Sequence, residues 1–197
     1  MKIGIQLGLA ALAIFVGYLI WDSIESKIVL TETVETRNKV VQAKLEQIRD
    51  AQVEYKKVRG EYANSFEKLA DFLQNDSIVQ VKMEGEVPDS LLGQEALALE
   101  MGIISRDTTK IPVRDILFQD NFSAIVDSMP YVPFAGGKTF AINAGEVEKG
   151  KVNVKVFAVT AYLTDVYAGL KTDNEGYDMA DSLTIGSMEE PTTNGNW

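Results

Sequence analysis

One segment of this 197-residue chain comes close to a nucleotide-binding motif. Gly136-Gly137-Lys138-Thr139 contains the last three letters of a phosphate-binding loop, in which backbone N–H groups and a lysine hold the phosphates. The complete motif needs a glycine five positions before the Gly-Lys pair, and Val132 stands there. It also needs a helix after the loop, whereas the residues that follow alternate as a strand does. The segment therefore predicts a glycine turn that leads into a hairpin.

A second segment has the residue types of a calcium loop. Asp173-Asn174-Glu175-Gly176 is followed by Asp178 and Asp181, and calcium prefers carboxylate oxygens. Aligned on the glycine, an EF-hand would have an acid in place of Lys171 and a glutamate in place of Ser182. Because both positions differ, we predict a solvated loop, with a weak calcium contact as the alternative.

A third segment has the Ser-x-x-Lys spacing of penicillin-recognising enzymes, in which the serine is the nucleophile. It comprises Ser65 and Lys68. Those enzymes also carry Ser-Asp-Asn and Lys-Thr-Gly elements, and the nearest segment here, Lys138-Thr139-Phe140, lacks the glycine. We therefore predict that Ser65 belongs to the start of a helix.

The residue types that are missing restrict the chemistry further. The chain has no histidine and no cysteine, so it lacks the commonest general base, thiol nucleophiles, disulfides and thiolate metal sites. Carboxylate pairs such as Glu84/Glu86 or Asp115/Asp120 remain as candidates for an acid and a base. The net charge of −10 argues against nucleic acid, which binds clusters of lysine and arginine. We expect no enzymatic activity, no cofactor and no metal.

The chain begins with an uncharged run, since residues 3–20 contain no Asp, Glu, Lys or Arg. As a helix this run would be about 27 Å long, close to the hydrocarbon thickness of a bilayer. Aromatic rings stand at its end, where they prefer the membrane–water boundary, and charged residues follow at once. We therefore predict an uncleaved membrane anchor over residues 1–21. Its side chains include Ile3, Leu7, Leu12, Phe15, Tyr18 and Trp21.

Two other interpretations of this run are open. A cleaved signal peptide needs a basic start, a shorter apolar stretch and a small-x-small cleavage site. Ala11-Leu12-Ala13 has suitable residue types, but cleavage there would leave the apolar residues 14–21 on the mature protein. A buried helix of a soluble core is the other interpretation, although 18 uncharged positions exceed what such helices usually show.

The predicted direction of insertion depends on few charges. Lys2 and the amino terminus are the cationic groups before the span, and positive charge is retained on the cytoplasmic side. We therefore predict a single-pass protein of the cytoplasmic (inner) membrane. Its amino terminus would lie inside, and its C-terminal domain in the periplasm or outside.

Beyond the anchor, residues 24–59 have the pattern of a long amphipathic helix. An apolar stripe recurs near i, i+4, i+7, i+11, i+14 and i+17, with charged residues between. The β-branched residues at 28–36 predict a late start or a bend, and Gly60 predicts the helix stop. We predict that the stripe packs on the protein's own sheet; the alternatives are another helix, such as a second copy, or lipid. It consists of Val41, Leu45, Ile48, Gln52, Tyr55 and Val58.

The rest of the chain predicts an α+β head. Asn64-x-x-Glu67 has the form of a capping box for a second helix that ends at Asn75-Asp76. Alternation and turn residues predict a strand at 79–83, a short helix at 88–101, an edge strand at 110–114, a hairpin at 139–161 and a short strand at 182–185. The fold class is therefore α+β, with an N-terminal transmembrane helix that continues into a long amphipathic helix packed on a small antiparallel sheet. The predicted divisions are the anchor 1–21, an amphipathic stalk helix 22–60, an extracytoplasmic head 61–170 and a polar C-terminal tail 171–197.

Three segments carry a resemblance to known families. Ile48-Arg49-x-Ala51-Gln52-x-x-Tyr55, followed by Gly60-x-Tyr62, resembles the point in the pseudopilins of bacterial secretion systems where the stalk helix meets the globular head. With Tyr131-Val132-Pro133-Phe134 and Asn194-Gly195-Asn196-Trp197, the whole chain resembles a family of single-anchor bacterial envelope proteins, which implies no activity. A prepilin has a glycine at its cleavage point and a glutamate five residues later; here Gly4 is followed by Leu9.

These patterns together predict a non-enzymatic, membrane-anchored structural subunit or assembly factor of a bacterial cell-envelope complex. Its partners would be membrane lipid, through the N-terminal helix, and other envelope proteins, including a second copy of the chain. The alternatives are a pseudopilin-like filament or secretion component, a membrane-tethered hydrolase that uses carboxylates, and an accessory domain that binds a ligand or an ion.

Overall fold

The computed structural model describes residues 2–88, 91, 93–118, 120–172 and 176–197. It confirms an α+β protein with a long N-terminal helix and small antiparallel sheets. In chain order the elements are α1 Lys2–Arg59, α2 Phe66–Asn75, β1 Ser77–Glu84, α3 Glu95–Glu100, β2 Ser105–Pro112, α4 Val113–Ile116, α5 Phe122–Ser128, β3 Ala141–Lys149, β4 Val152–Tyr162, α6 Leu163–Val166 and β5 Ser182–Ser187.

Helix α1 is continuous over 58 residues. It passes without a break through 28–36, where β-branched residues predicted a late start or a bend. The threonine hydroxyls in that stretch donate to carbonyl oxygens of the helix one turn earlier, for example Thr31 to Lys27 at 2.9 Å, so these side chains are compatible with a helix. The helix ends at Arg59, as predicted. Gly60 has a φ of +79°, and its N–H donates to the Lys56 carbonyl at 2.8 Å, which satisfies one of the carbonyls that every helix end leaves free.

The core lies between the second half of α1 and a three-stranded antiparallel sheet of order β3-β4-β5. The predicted hairpin is present, and its turn falls at Gly150 and Lys151. Strand β4 is the central strand and contributes fully buried side chains, including Phe157 and Val159. Burial of apolar surface on both sides of this contact is the main source of stability for the head. We use "the head" for residues 61–197.

Helix α2 closes one side of the core through Leu69, Phe72 and Leu73. Its N-cap is Ser65, whose hydroxyl oxygen accepts a 3.4 Å hydrogen bond from the Lys68 backbone N–H. The predicted capping box beginning at Asn64 is therefore wrong by one residue. The prediction that Ser65 belongs to a helix start is confirmed, and the helix ends at Asn75 as expected.

Strands β1 and β2 form a separate two-stranded antiparallel ribbon. The strand predicted at 110–114 begins earlier, at Ser105, because its side chains are mostly exposed and give little apolar alternation. It also ends earlier than predicted, at Pro112, since residues 113 and 114 belong to α4. The helix predicted from Pro88 begins only at Glu95; of the residues before it, 89, 90 and 92 lie outside the described part of the chain. Ala98 and Ile104 are buried at the end of the ribbon, away from the main core.

The polar C-terminal segment is built into the head. Strand β5 pairs with β4, and Leu183 and Ile185 are buried in the main core. Gly186 opposes Ala158 with a φ of +77°, and a Cβ there would lie 2.3 Å from the Phe157 carbonyl oxygen, so only glycine fits. The predicted strand at 182–185 is confirmed, and it joins residues 171–197 to the sheet.

Candidate functional site

The first half of α1 carries apolar side chains that are largely exposed, as far as the structure describes them. Leu12, Phe15, Tyr18 and Trp21 are 57, 58, 65 and 72% exposed. The side chains of Ile3 and Leu7 lie outside the described part of the chain. From Gly8 onward, α1 is long enough and apolar enough to cross a membrane, judged by length and composition alone. Such exposure costs free energy in water, and a membrane or an apolar partner would remove that cost.

The head begins well above this apolar segment. Leu30 packs against the core and Val34 is the first residue of α1 buried within it. Thirteen residues separate Val34 from Trp21, which corresponds to about 20 Å along a helix. Trp21 itself donates from Nε1 to Glu25 at 3.1 Å, which places an aromatic ring and a carboxylate together at the end of the uncharged run.

The predicted helix-packing face is largely in the core. Val41, Leu45 and Ile48 are fully buried and Tyr55 is 7% exposed, whereas Val58, at 39%, lies outside the core near the helix end. Sequence reasoning omitted Val34 and Ala51, which are buried as well. Both continue the predicted stripe, seven residues before Val41 and three residues after Ile48, so the helical period could have found them.

A buried glutamine joins α1 to the loop that follows it. Gln52 is fully buried; its Nε2 donates to the Ala63 carbonyl oxygen, and its Oε1 accepts from the Ala63 N–H, each at 2.8 Å. The side-chain amide thus completes both backbone groups of one loop residue, as a neighbouring strand would. Tyr55, one turn later, packs edge-on against Phe72 of α2 at 5.2 Å. We call the pair of hydrogen bonds between Gln52 and Ala63 the Gln52 clasp.

A second contact between α1 and the head lies nearer the N-terminus of the helix, and the sequence did not predict it. We call the contacts of Arg37 with Val166, Ala168 and Phe134 the Arg37 joint. Arg37 Nη1 donates to the carbonyl oxygens of Val166 and Ala168, at 2.8 and 3.0 Å. The guanidinium carbon also lies 4.9 Å from the centre of the Phe134 ring, within cation–π range. Beside it, the Tyr167 hydroxyl donates to Asn38 Oδ1 at 3.0 Å. The sequence cannot show whether a charged residue of a helix binds another part of the protein or only water.

A shallow depression of about 140 Å³ brings two carboxylates into one place. It is lined by Glu61 and Asn64 of the loop and by Glu146 and Lys155 of the β3–β4 hairpin, among others. Lys155 Nζ donates to Glu146, and this hydrogen bond, with a smaller effect of the nearby Glu61 charge, raises the pKa of Lys155. Lysine is therefore held as a cation, and Glu146 is already occupied as its partner.

The motifs that suggested chemistry have structural roles. Gly136 and Gly137 have positive φ values in a turn that precedes β3, and Lys138 Nζ donates to Asp165, so no phosphate loop forms. Of the acidic pairs, Glu84 is bound by Lys82 at 2.7 Å, and Asp115 by Arg114 at 3.6 Å.

The acidic loop at 173–181 is described only in part, because residues 173–175 lie outside the described part of the chain. Asp178 Oδ1 accepts from the Ala180 N–H, and Asp181 Oδ1 from the Ser182 N–H, so both carboxylates cap backbone groups. Among the residues that the structure describes, no three His, Cys, Asp or Glu side chains are grouped to hold a metal ion.

The other two segments that carry the family resemblance also connect parts of the fold. Tyr131 forms an isolated bridge with Thr139, and Phe134 supplies the ring under Arg37. At the C-terminus, Asn196 donates from its backbone N–H to the Thr184 carbonyl and accepts from the Thr184 N–H through Oδ1, at 3.1 and 3.0 Å. This ending thus covers the outer edge of β5 and leaves fewer free backbone groups there.

No protein-family model, curated protein or solved structure matches this chain. The resemblance to pseudopilins therefore stays a prediction, and the role of the protein has to be inferred from its own geometry.

The Gln52 clasp yields the first prediction. Gln52→Ala should lower the free energy of unfolding of the head by about 2–4 kcal/mol, because it leaves two buried backbone groups of Ala63 without partners. Thermal unfolding of the detergent-solubilised full chain, followed by circular dichroism, measures the effect. Gln47→Ala, on the partly exposed side of the same helix, is the matched control and should be nearly neutral. Equal melting temperatures for both variants would show that the clasp contributes nothing.

Proposed function

We propose that this chain is a non-enzymatic, membrane-anchored structural subunit or assembly factor of a bacterial cell-envelope complex. The observation that carries the proposal is the contrast along one helix. In its first half α1 exposes apolar side chains, and in its second half it buries a stripe of them in the core of the head. A helix of this kind is suited to hold a folded domain at a membrane surface.

The way the head is attached supports a mechanical role. No break separates the anchor from the core helix, since α1 runs from Lys2 to Arg59. The Gln52 clasp and the Arg37 joint then fix the head to α1 at two heights, about 22 Å apart along the helix axis. A force or a displacement at the membrane is therefore passed to the head through a helix and not through a flexible linker.

The chemistry of the chain supports a role without catalysis. Histidine and cysteine are missing from the sequence, which removes the commonest general base and the thiol nucleophile. The two carboxylates of the depression do not form an acid–base pair in an open cleft, because Glu146 is bound by Lys155. The exposed surface of the head remains available for protein partners.

A pseudopilin-like filament or secretion component is the second candidate. The architecture favours it, since a long N-terminal helix projects with its first half free and packs with its second half on an antiparallel sheet. Leu9 stands where the resemblance implies a glutamate that pairs with a neighbouring subunit's amino terminus. A filament of this chain would therefore need another contact in that place.

The anchor yields the second prediction. The double variant Leu12→Lys/Phe15→Lys should be lost from carbonate-washed membranes, because each lysine near the centre of a span costs about 2.5–3.5 kcal/mol. Immunoblots of the washed membrane and soluble fractions measure the change. Val40→Lys/Val58→Lys is the matched control: both valines are exposed apolar residues of α1 outside the span, and this variant should stay in the membrane. Recovery of the native chain in the soluble fraction, without its first residues, would overturn the anchor.

Orientation yields the third prediction, which follows from Lys2 and the amino terminus before the span. Alkaline phosphatase fused after Trp197 should be active, because that enzyme folds only outside the cytoplasm, and a fluorescent protein that matures only in the cytoplasm should stay dark at the same position. The two fusions act as controls for each other. The reverse pair of results would place the head in the cytoplasm.

Assembly yields the fourth prediction. Mild detergent extraction of native membranes, followed by affinity purification, should recover the chain with partners in fixed stoichiometry. Purification of the Leu12→Lys/Phe15→Lys variant from the soluble fraction, in the same detergent, identifies proteins that are retained without membrane insertion. A clean monomer under cross-linking would count against the structural role, and hydrolysis of a wall or carbohydrate substrate by the purified chain would replace it with the hydrolase alternative.

A further inference from the structure

An open groove of about 450 Å³ lies between α1 and the head, on the part of α1 that follows the apolar segment. One wall is α1 itself, and the other includes Phe134, which sits in the segment after α5. The groove is lined by Val29, Glu32, Thr33, Thr36, Arg37 and Phe134.

The floor of this groove can be covered without leaving polar atoms unsatisfied. Val29, Thr33 and Thr36 follow each other at i, i+4 and i+7, so they form one face of the helix. The Thr33 hydroxyl donates to the Val29 carbonyl oxygen at 2.7 Å, and that of Thr36 to the Glu32 carbonyl oxygen at 2.8 Å. Both hydroxyls therefore keep their hydrogen bonds when a neighbouring helix excludes water.

The groove carries one negative and one positive side chain, placed so that two copies of the groove can pair with each other. Glu32 and Arg37 flank the face of Val29, Thr33 and Thr36 and are five residues apart. When two identical helices pack in parallel, residues with this spacing on either side of the packed face meet across the interface. Arg37 is held in place for this by Val166, Ala168 and the Phe134 ring, so little side-chain freedom is lost on pairing.

We propose that this groove is a dimer interface, and that its occupant is α1 of a second copy of this chain. The inference rests on the proposed membrane anchoring, because insertion in one direction makes the two α1 helices parallel. Glu32 of each copy then faces Arg37 of the other, which gives two symmetry-related ion pairs around a central contact at Thr33. The interface is isologous and closed, so it produces a dimer and not a filament.

Lipid headgroups do not reach this groove. Arg37 lies sixteen residues after Trp21, about 24 Å along the helix, whereas the headgroup region of each leaflet is about 5–8 Å thick. An anionic lipid would also meet the charge of Glu32. A second copy presents the opposite charge at both positions, since it carries the same residues.

The test uses the fact that the chain contains no cysteine, so any single introduced thiol is the one that reacts. Thr33→Cys and Thr31→Cys are placed in the full-length chain, and native membranes are treated with a mild oxidant. The two threonines are a matched pair: both belong to α1 and both donate to a carbonyl one turn earlier, but only Thr33 lines the groove. We expect at least about tenfold more disulfide-linked dimer from Thr33→Cys, because bridging needs Cβ atoms about 3.5–4.5 Å apart.

A charge reversal tests the ion pairs in the Thr33→Cys background. Glu32→Lys should lower the yield of cross-linked dimer about five- to tenfold, because two attractive pairs become repulsive. Glu35→Lys changes the same charge on an exposed position of α1 that does not line the groove, and it should leave the yield unchanged. Equal loss from both variants would show that net charge, and not the proposed pair, controls association.

The same samples separate failure of the dimer from failure of the anchor. If the chain is found in the soluble fraction, membrane anchoring and the proposed function fail together. If it is in the membrane but Thr33→Cys forms no more dimer than Thr31→Cys, the dimer alone is refuted. A Thr33→Cys product with the mass of a different protein, identified by mass spectrometry, would replace the second copy with another subunit.

Discussion

The structure depends on one α-helix that has to satisfy two environments. The first half of α1 has apolar side chains on every side, and the second half has them on one stripe. Apolar side chains all around a helix are typical of a membrane span, whereas a single apolar stripe is typical of a helix that packs on a folded core. Because both halves belong to the same uninterrupted helix, the position of the core along the chain also sets the distance between the head and the apolar segment.

The contacts that hold the head to this helix combine apolar burial with a few specific hydrogen bonds. The stripe against β4 and β5 supplies non-directional stability, which by itself would tolerate small sliding of the helix along the sheet. The Gln52 clasp and the Arg37 joint supply direction, since each binds named backbone groups at one height. Buried polar groups of this kind specify a unique arrangement because an alternative arrangement leaves them unpaired.

The β1–β2 ribbon contributes little to the main core. The side chains of β2 are mostly exposed, and the nearby buried residues Ala98 and Ile104 do not belong to the main core. A two-stranded ribbon has little apolar surface to bury, so it depends on its connection to α2 and α4 for stability. The C-terminal residues have more support, since Gly195 and Asn196 pair with the outer edge of β5.

The sequence alone determined the elements whose signals are local and periodic: the uncharged run, the stripe of α1, the stop at Gly60, the β3–β4 hairpin and the β5 strand. It was less informative where a signal was weak, as in β2, whose exposed side chains hardly alternate, and at the N-cap of α2, where Asn64 and Ser65 are both good caps. The tertiary structure alone decided which polar residues are joints. The position of Gln52 in the packed stripe follows from the helical period, but its partner Ala63 does not, and Arg37 gives no sequence signal at all; their hydrogen-bond partners lie 11 and 129 residues away in the chain. Long-range hydrogen bonds of this kind leave no periodic pattern, because they depend on how the whole chain folds back on α1.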